Sequence, residues 1–219
     1  VLYPGGKNKN KVTTWSYSNR GALLSFAEKG YTLIDGMKTP QTHSTTFEYN
    51  DRGQLTRIKG PRTDVTEATK LQYYSNLASE GENRGQLKAI VNSLGHRILF
   101  SDYDCNGNVR KITDPNGVAY LYTYDERNRV EAITTSIHPG APIEYGYNDQ
   151  GNLTFIRFPE GNTLELTYTL SNRLTRVKDN LGNTIHYAYN DEGNRTHQEI
   201  RDSEDTLRKY LEFAYDPYN

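Results

Sequence analysis

Hydrophobic and polar positions alternate with a period of two in short runs, and the runs themselves recur. In TLELTY (163–168), Leu164, Leu166 and Tyr168 fall on one side and Thr163, Glu165 and Thr167 on the other. That is the pattern of a half-buried β-strand. The polar, turn-prone residues 169–172 follow, then a second strand at RLTRVK (173–178), then a turn at DNLGN (179–183). Similar turns stand at DPNG (114–117), FPEGN (158–162) and NDEGN (190–194). Asn, Asp and Gly tolerate positive φ, and Pro presets the first turn residue. The predicted unit is a β-hairpin with strands of about six residues and loops of about four to five.

The hairpins repeat. EYGYNDQGNL (144–153), ELTYTLSNRL (165–174) and HYAYNDEGNR (186–195) are clean copies, and YLYTYDERNRV (120–130) follows the same plan. FEYNDRGQL (47–55) is an earlier copy and WSYSNRGAL (15–23) a weaker one. The second aromatic of each gives Tyr17, Tyr49, Tyr73, Tyr103, Tyr124, Tyr147, Tyr168, Tyr189 and Tyr215, with last intervals of 21, 23, 21, 21 and 26 residues. Such a period marks an array in which each unit buries its apolar side only against neighbours. The fold class predicted is all-β, an antiparallel repeat of about eight hairpins, written as one array over residues 1–219. At ~4.8 Å per strand, sixteen strands run roughly 75 Å, and right-handed twist bends such a strip into an open arc or spiral.

Two features complicate the pattern. In the second strand of each unit the apolar residues lie three apart, as in Leu55/Ile58, Val130/Ile133, Leu153/Ile156 and Leu174/Val177. A flat strand would send such a pair to opposite faces. A β-bulge, or a leading residue still in the turn, returns both to one face. The last copy has Arg195 in the leading position. The stretch 60–98 fits least well and is predicted to hold an insertion, with a short helix near Glu67–Leu71.

Only 34% of the 219 residues are hydrophobic, yet there are 18 Tyr beside 6 Phe and 1 Trp. Tyr packs with its ring and tolerates water at its hydroxyl, which suits a sheet packed on one face and wet on the other. Periodic aromatics argue against disorder. Lys and Arg number 26 against 27 Asp and Glu, so no net field draws in nucleic acid or an anionic membrane. The basic cluster GGKNKNK (5–11) reads as a loop. A lone Cys105 excludes an internal disulfide framework. No apolar run approaches the roughly 20 residues of a membrane-spanning helix, and no signal peptide is recognisable. The chain opens without Met and ends in FAYDPYN, the start of another repeat, so it is expected to be a piece of something longer.

The repeat resembles that of the RHS/YD family, whose signature is Tyr, then Asp or Asn, then a Gly-Asn pair and an aliphatic residue. Tyr124 with Asp125, Tyr147 with Asn148, Gly151 and Asn152, Tyr168 with Asn172, and Tyr189 with Asn190, Gly193 and Asn194 match it directly. Tyr49 with Asn50 and Gly53, and Tyr103 with Asp104 and Gly107, match with minor changes. The resemblance covers residues 100–219 strongly and 1–60 moderately. The family includes bacterial polymorphic toxins, shell subunits of insecticidal toxin complexes, bacterial cell-wall proteins and animal teneurins. It implies a hairpin strip spiralling into a hollow, secreted or cell-surface shell, in bacteria typically around a C-terminal toxin domain. The family's autoproteolytic segment has no counterpart among these 219 residues.

Other chemistry is weak. Asp102, Asp104, Asn106 and Asn108 imitate the start of a calcium loop, but the twelfth position, which needs a bidentate Glu, is Thr113. His43, His96, His138, His186 and His197 lack the paired spacing of many zinc motifs. His186 reads as a cross-strand packing partner. The acidic pairs Asp191-Glu192 and Glu204-Asp205 sit in polar turns, unlike glycosidase carboxylates. The sequons at Asn152 and Asn194 coincide with the repeat's own turn. No nucleotide or hydrolase fingerprint is present, and no cofactor is expected. Rows of tyrosine suggest either a packing ladder of rings or a sugar-stacking surface, and the YxY spacing favours the ladder.

The sequence therefore predicts a structural, encapsulating module without catalysis of its own. Its expected partners are the rest of its shell and an enclosed toxin domain. The alternative is an adhesion or carbohydrate-binding array. Open strand edges at both ends predict edge-to-edge pairing with a second copy, slightly blunted by Pro217.

Overall fold

The computed structural model describes residues 12–34, 37–62 and 68–216, without the side chains of 32–34 and 38. The basic cluster at 5–11, Glu67 and Pro217 lie outside the described residues. Two compact units divide the chain at Gly117. The first contains β1 (Val12–Tyr17), β2 (Leu23–Ile34), β3 (Met37–Tyr49), β4 (Leu55–Lys59), β5 (Thr69–Tyr73), β6 (Leu87–Val91), β7 (Arg97–Tyr103) and β8 (Val109–Thr113). The second contains β9 (Ala119–Tyr124), β10 (Val130–Thr135), β11 (His138–Tyr147), β12 (Leu153–Arg157), β13 (Thr163–Tyr168), β14 (Leu174–Asp179), β15 (Thr184–Tyr189), β16 (Arg195–Arg201) and β17 (Leu207–Glu212). Within each unit every strand pairs antiparallel with its chain neighbour, and the first and last strands do not meet. The architecture is an open, all-β meander of hairpins.

Periodicity and burial agree. In β13, Leu164, Leu166 and Tyr168 are half-buried while Glu165 and Thr167 are exposed. Across unit 2 the less exposed side carries an aliphatic row, with Leu166 opposite Val177, Val177 opposite Ile185, and Ile185 opposite Ile200. Each such pair contributes roughly 0.2–1 kcal/mol relative to alanines. The other side carries charge, including Glu144 with Arg157 at 3.3 Å, and in unit 1 Glu48 pairs likewise with Arg57 at 3.1 Å. Among the described residues only Ala68 and Ala89 are buried, and no large side chain is fully enclosed. Each unit is thus a single layer, wet on both sides.

The three-residue spacing of the second strands is explained by a bulge. Tyr49 pairs with Leu55 but Glu48 pairs with Arg57, so Thr56 is the extra residue. The same one-residue slip follows Tyr17, Tyr73, Tyr124, Tyr147, Tyr168 and Tyr189. It brings Leu55 and Ile58, and their equivalents, onto the same side. Hairpin β7–β8 lacks the slip: Tyr103 pairs with Val109 and Ser101 with Lys111. There the first strand carries its own extra residue, Asp102, at φ 57.

The helix expected near Glu67–Leu71 is not found. Residues 69–73 form β5, because Thr69, Leu71 and Tyr73 alternate with the exposed Lys70 and Gln72, and the strand pairs with β4 through Thr69 and Lys70 and with β6 through residues 70–73. The short helix of this region is a 3₁₀ turn at Ala78–Asn83, inside the loop joining β5 to β6.

Candidate functional site: the turn and tyrosine that join successive repeats

The motif residues assemble into one device at the junction between repeats. Its first part is a five-residue turn. The first turn residue donates its N–H to the carbonyl of the fifth, and the fourth donates back to the first: Asn50 to Gln54 at 2.9 Å and Gly53 to Asn50 at 2.9 Å. Asp104, Asp125, Asn148 and Asn190 open equivalent turns. The fourth residue must be left-handed, with φ 79 at Gly53 and 92 at Gly193. Gly adopts this conformation without penalty. Asn128, Asn172 and Asp205 fill the same position at φ 60, 61 and 62, as short polar residues are able to do.

The Asx side chain of the first position holds the turn from inside. Asn50 Oδ1 accepts the N–H groups of Arg52 and Gln54, each at 3.0 Å. Asp104 accepts those of Asn106 and Asn108 at 3.0 and 2.9 Å, and Asp125 those of Arg127 and Arg129 at 2.9 and 3.0 Å. Asn148 and Asn190 accept from Asn152 and Asn194, each at 2.9 Å. The second oxygen serves the fifth side chain: Asp104 receives Asn108 Nδ2 at 3.1 Å, and Asp125 receives Arg129 Nε at 2.7 Å.

These bonds set the carboxyl pKa values. The Arg129 side chain, then its N–H, holds Asp125 below the usual carboxylate range. The Asn183 side chain does the same for Asp179, and the Thr206 N–H for Asp202. At Asp104 desolvation is the largest influence and pushes upward. The bonds from Asn108 and Asn106, with Arg110, outweigh it and leave the carboxyl lowered. The imitation calcium loop is therefore this turn, its carboxylate already occupied by N–H donors.

The second part is the tyrosine. Its hydroxyl reaches back one repeat and donates to the backbone carbonyl of the leading residue, just before the bulge. Tyr49 Oη lies 2.9 Å from Leu23 O, Tyr73 2.9 Å from Leu55 O and Tyr103 2.8 Å from Leu87 O. In unit 2, Tyr147, Tyr168 and Tyr189 donate to Val130, Leu153 and Leu174, each at 2.8 Å, and Tyr215 to Arg195 at 2.9 Å. The ladder expected from ring packing is thus carried by hydroxyl-to-backbone staples. The acceptor is main chain, so Arg195 in the leading position breaks nothing. Burial of the phenol raises the pKa of Tyr73, Tyr147 and Tyr168 above the ordinary tyrosine value.

Arginine adds a clamp that the motif does not predict. Arg129, the fifth residue of its turn, lies 4.3 Å from the centre of the Tyr147 ring and donates to Asn148 O at 3.3 Å. Arg173 does the same, 6.0 Å from Tyr189 and 3.0 Å from Asn190 O. Where Asn152 takes the fifth position, its Nδ2 donates to Asn172 Oδ1 at 2.7 Å.

The irregular hairpin has its own repair. Tyr74, at the start of the insertion, donates its hydroxyl to Phe100 O at 2.9 Å, and Asn83 Oδ1 accepts the Tyr103 N–H at 3.1 Å. The insertion thus holds the backbone on both sides of Asp102, where β7 carries its extra residue.

The remaining candidates stay apart. His186 stands between Arg176 and Glu199 in register and contacts Thr184 Oγ1 at 3.1 Å. His197 meets the Tyr210 ring at 5.7 Å. Asp191 and Glu192 fall within the Asn190 turn, and Glu204 and Asp205 within the Asp202 turn. Cys105 is exposed at a turn tip. Among the described residues no group of three or more His, Cys, Asp or Glu is placed to hold a metal ion. None of their helices is long and apolar enough to cross a membrane.

Comparison with known proteins points the same way. The RHS Repeat family model matches residues 103–140 and 168–206. No curated protein matches the sequence. Among solved structures, the TcdB2-TccC3 protein without its hypervariable C-terminal region matches with a TM-score of 0.69 at 18% identity, over 92% of this chain. A Photorhabdus luminescens Tc holotoxin pore matches with a TM-score of 0.67 at 17% identity, also over 92% of this chain. In both cases this chain spans 12% of the length of the matched chain.

Proposed function

Given that this chain belongs to the RHS/YD-repeat family, we propose that it is a stretch of wall in a hollow shell enclosing a toxin domain. In this reading residues 1–219 are one array of about eight hairpins, secreted or displayed on a bacterial surface, and they carry no catalysis. The observation that supports it is the single layer. Each strand pairs with its chain neighbours along its unit, yet no large side chain among the described residues is fully enclosed. A sheet built this way separates two spaces, and its strength lies in junctions between neighbours. The motif residues Tyr49, Asn50 and Gly53, Tyr103, Asp104 and Gly107, Tyr124 and Asp125, and their later equivalents serve those junctions. The partners in this proposal are further repeats of the same shell and its cargo.

The competing reading, a glycan-binding adhesion array, needs tyrosine hydroxyls or ring faces free for sugar. Seven motif tyrosines instead spend their hydroxyls on main-chain carbonyls. Limited proteolysis of the product of the complete reading frame tests the choice. A wall leaves any cargo domain uncut while the shell is intact and releases it to digestion when the shell is denatured. Digestion of that domain at the same rate in both states contradicts encapsulation. Saturable glycan binding by the chain, lost on substituting an exposed tyrosine, supports the adhesion reading.

A further inference from the structure

The charged side of β13–β15 holds an arginine without a partner. Arg176, in β14, stands between Thr167 of β13 and His186 of β15 in register. Its guanidinium makes no hydrogen bond or ion pair among the described residues, and its Nε is shielded from water with no acceptor. The other described strand arginines each meet a carboxylate, an amide oxygen or an aromatic ring. An enclosed donor without an acceptor is costly, and native structures normally supply one.

The repeat shows what is missing. LTRIK (55–59) in β4 and LTRVK (174–178) in β14 are equivalent segments, so Arg57 corresponds to Arg176. The local backbone is alike: Thr56 donates to Glu48 O at 3.1 Å and Thr175 to Thr167 O at 3.0 Å. Opposite Arg57 stands Glu48, whose carboxylate lies 3.1 Å from Arg57 Nη1. Opposite Arg176 the same place is taken by Thr167, exposed and uncharged. Arg57 Nε is shielded too, so the two arginines sit alike and differ in the carboxylate. A second cation, Lys178, follows two residues later on the same side, opposite Thr184. Glu165 stands across from Lys178 without an ion pair between them. Glu199, beyond His186, is held by Arg201 at 2.8 Å.

We propose that Arg176 and Lys178 form a docking site for an acidic polypeptide segment, which supplies from outside the carboxylate that Glu48 supplies within its own hairpin. Side chains two apart on a strand project to the same side about 7 Å apart. That spacing matches Glu-x-Glu in an extended partner, with one carboxylate on each cation. A planar guanidinium takes a carboxylate through paired N–H donors. The ligand is thus a segment carrying Asp or Glu at alternate positions. The site is open and holds two cations, so binding is weak, roughly 1–10 mM. It does not rest on the shell reading.

Nuclear magnetic resonance of the 219-residue chain reads this through the Arg176 Nε–H signal, assigned by its loss in Arg176→Gln. Titration with the end-blocked peptide Thr-Glu-Thr-Glu-Thr should shift that signal and saturate with a dissociation constant of roughly 1–10 mM. The Gln counterpart of the peptide should leave it in place. Lys178→Gln should raise the dissociation constant about threefold. Thr167→Glu sets a carboxylate opposite Arg176, as Glu48 stands opposite Arg57, and should weaken peptide binding at least about tenfold. An absent shift overturns the proposal, as does an equal response to the Gln peptide. A Thr167→Glu chain that binds as wild type also overturns it, since the contact then lies elsewhere. Inorganic phosphate binding as tightly as the peptide overturns the choice of a polypeptide partner.

Discussion

Replacing Tyr168 by Phe removes one oxygen and leaves the ring, so it isolates the staple from packing. The bond lost is the 2.8 Å contact from Tyr168 Oη to Leu153 O, in a part-buried setting. A neutral hydrogen bond contributes about 0.5–1.5 kcal/mol net. Water reaches a single-layer sheet and takes over part of the lost bond, so the lower half of that range, about 0.5–1 kcal/mol, applies. Unit 2 holds four such staples, from Tyr147, Tyr168, Tyr189 and Tyr215. Removing all four then costs roughly 2–4 kcal/mol, a large share of the 5–15 kcal/mol typical of a domain. Urea unfolding followed by far-UV circular dichroism measures it. With a slope of about 1–3 kcal/mol per molar urea, the single change lowers the midpoint by roughly 0.2–1 M. Tyr145, paired with Ile156 in the aliphatic row, supplies the control, and Tyr145→Phe should stay within about 0.5 kcal/mol of wild type. A Tyr168→Phe shift no larger than the Tyr145→Phe shift would refute the idea that the hydroxyl joins repeats.

Gly193→Ala and Gly161→Ala separate backbone strain from collision. Both glycines have φ near 90°, but a Cβ at Gly193 meets Arg173 Nη2 at 2.8 Å while one at Gly161 meets nothing within 4 Å. Gly161→Ala should cost about 1–2 kcal/mol from the left-handed backbone alone, and Gly193→Ala more by thermal denaturation, with the Arg173 clamp on Asn190 displaced. The pH profile of stability should fall at both ends. Asp104, Asp125, Asp179 and Asp202 have lowered folded pKa values, so their contribution is present above the unfolded value of about 4 and is lost as pH falls through the folded values. Tyr73, Tyr147 and Tyr168 have raised values, so theirs is present below about 10 and is lost as pH rises above it. Titration monitored by circular dichroism checks both limbs. In the insertion, Tyr74→Phe and Asn83→Ala should each destabilise unit 1. A deletion of Asp102 that restores the regular bulge should make Asn83→Ala much less damaging, which a double-mutant cycle in urea would show.

The hairpins were legible because each carries its own local reasons. Period-two alternation sets the strands, and a Gly or Asn four places into each turn sets the left-handed residue. The bulge was legible too, from Leu55/Ile58 and its equivalents. The staple was hidden because its acceptor is a main-chain carbonyl, and a sequence marks no carbonyl as special. That is why Arg195 looked like a defect although Tyr215 bonds it as the others do. Asp102 was hidden because Tyr103 to Val109 has normal spacing. The signal lies upstream, where Phe100 stands three residues before its tyrosine and Phe47 only two. The long β2–β3 ribbon was visible in principle, as the 32-residue interval from Tyr17 to Tyr49. The helix was misplaced because pairing with β4 at Thr69 and Lys70 and with β6 along residues 70–73 overrides their local helix-forming character.

Electron cryomicroscopy of the product of the complete reading frame tests the central claim most directly. The account predicts that residues 12–216 form part of a continuous hairpin strip, one layer thick, bordering an enclosed space that holds density for a separate domain. The tyrosine hydroxyls should sit on the carbonyls of the preceding repeat. A map in which these residues pack as a solid domain with both sides covered, or line no enclosed space, would contradict it.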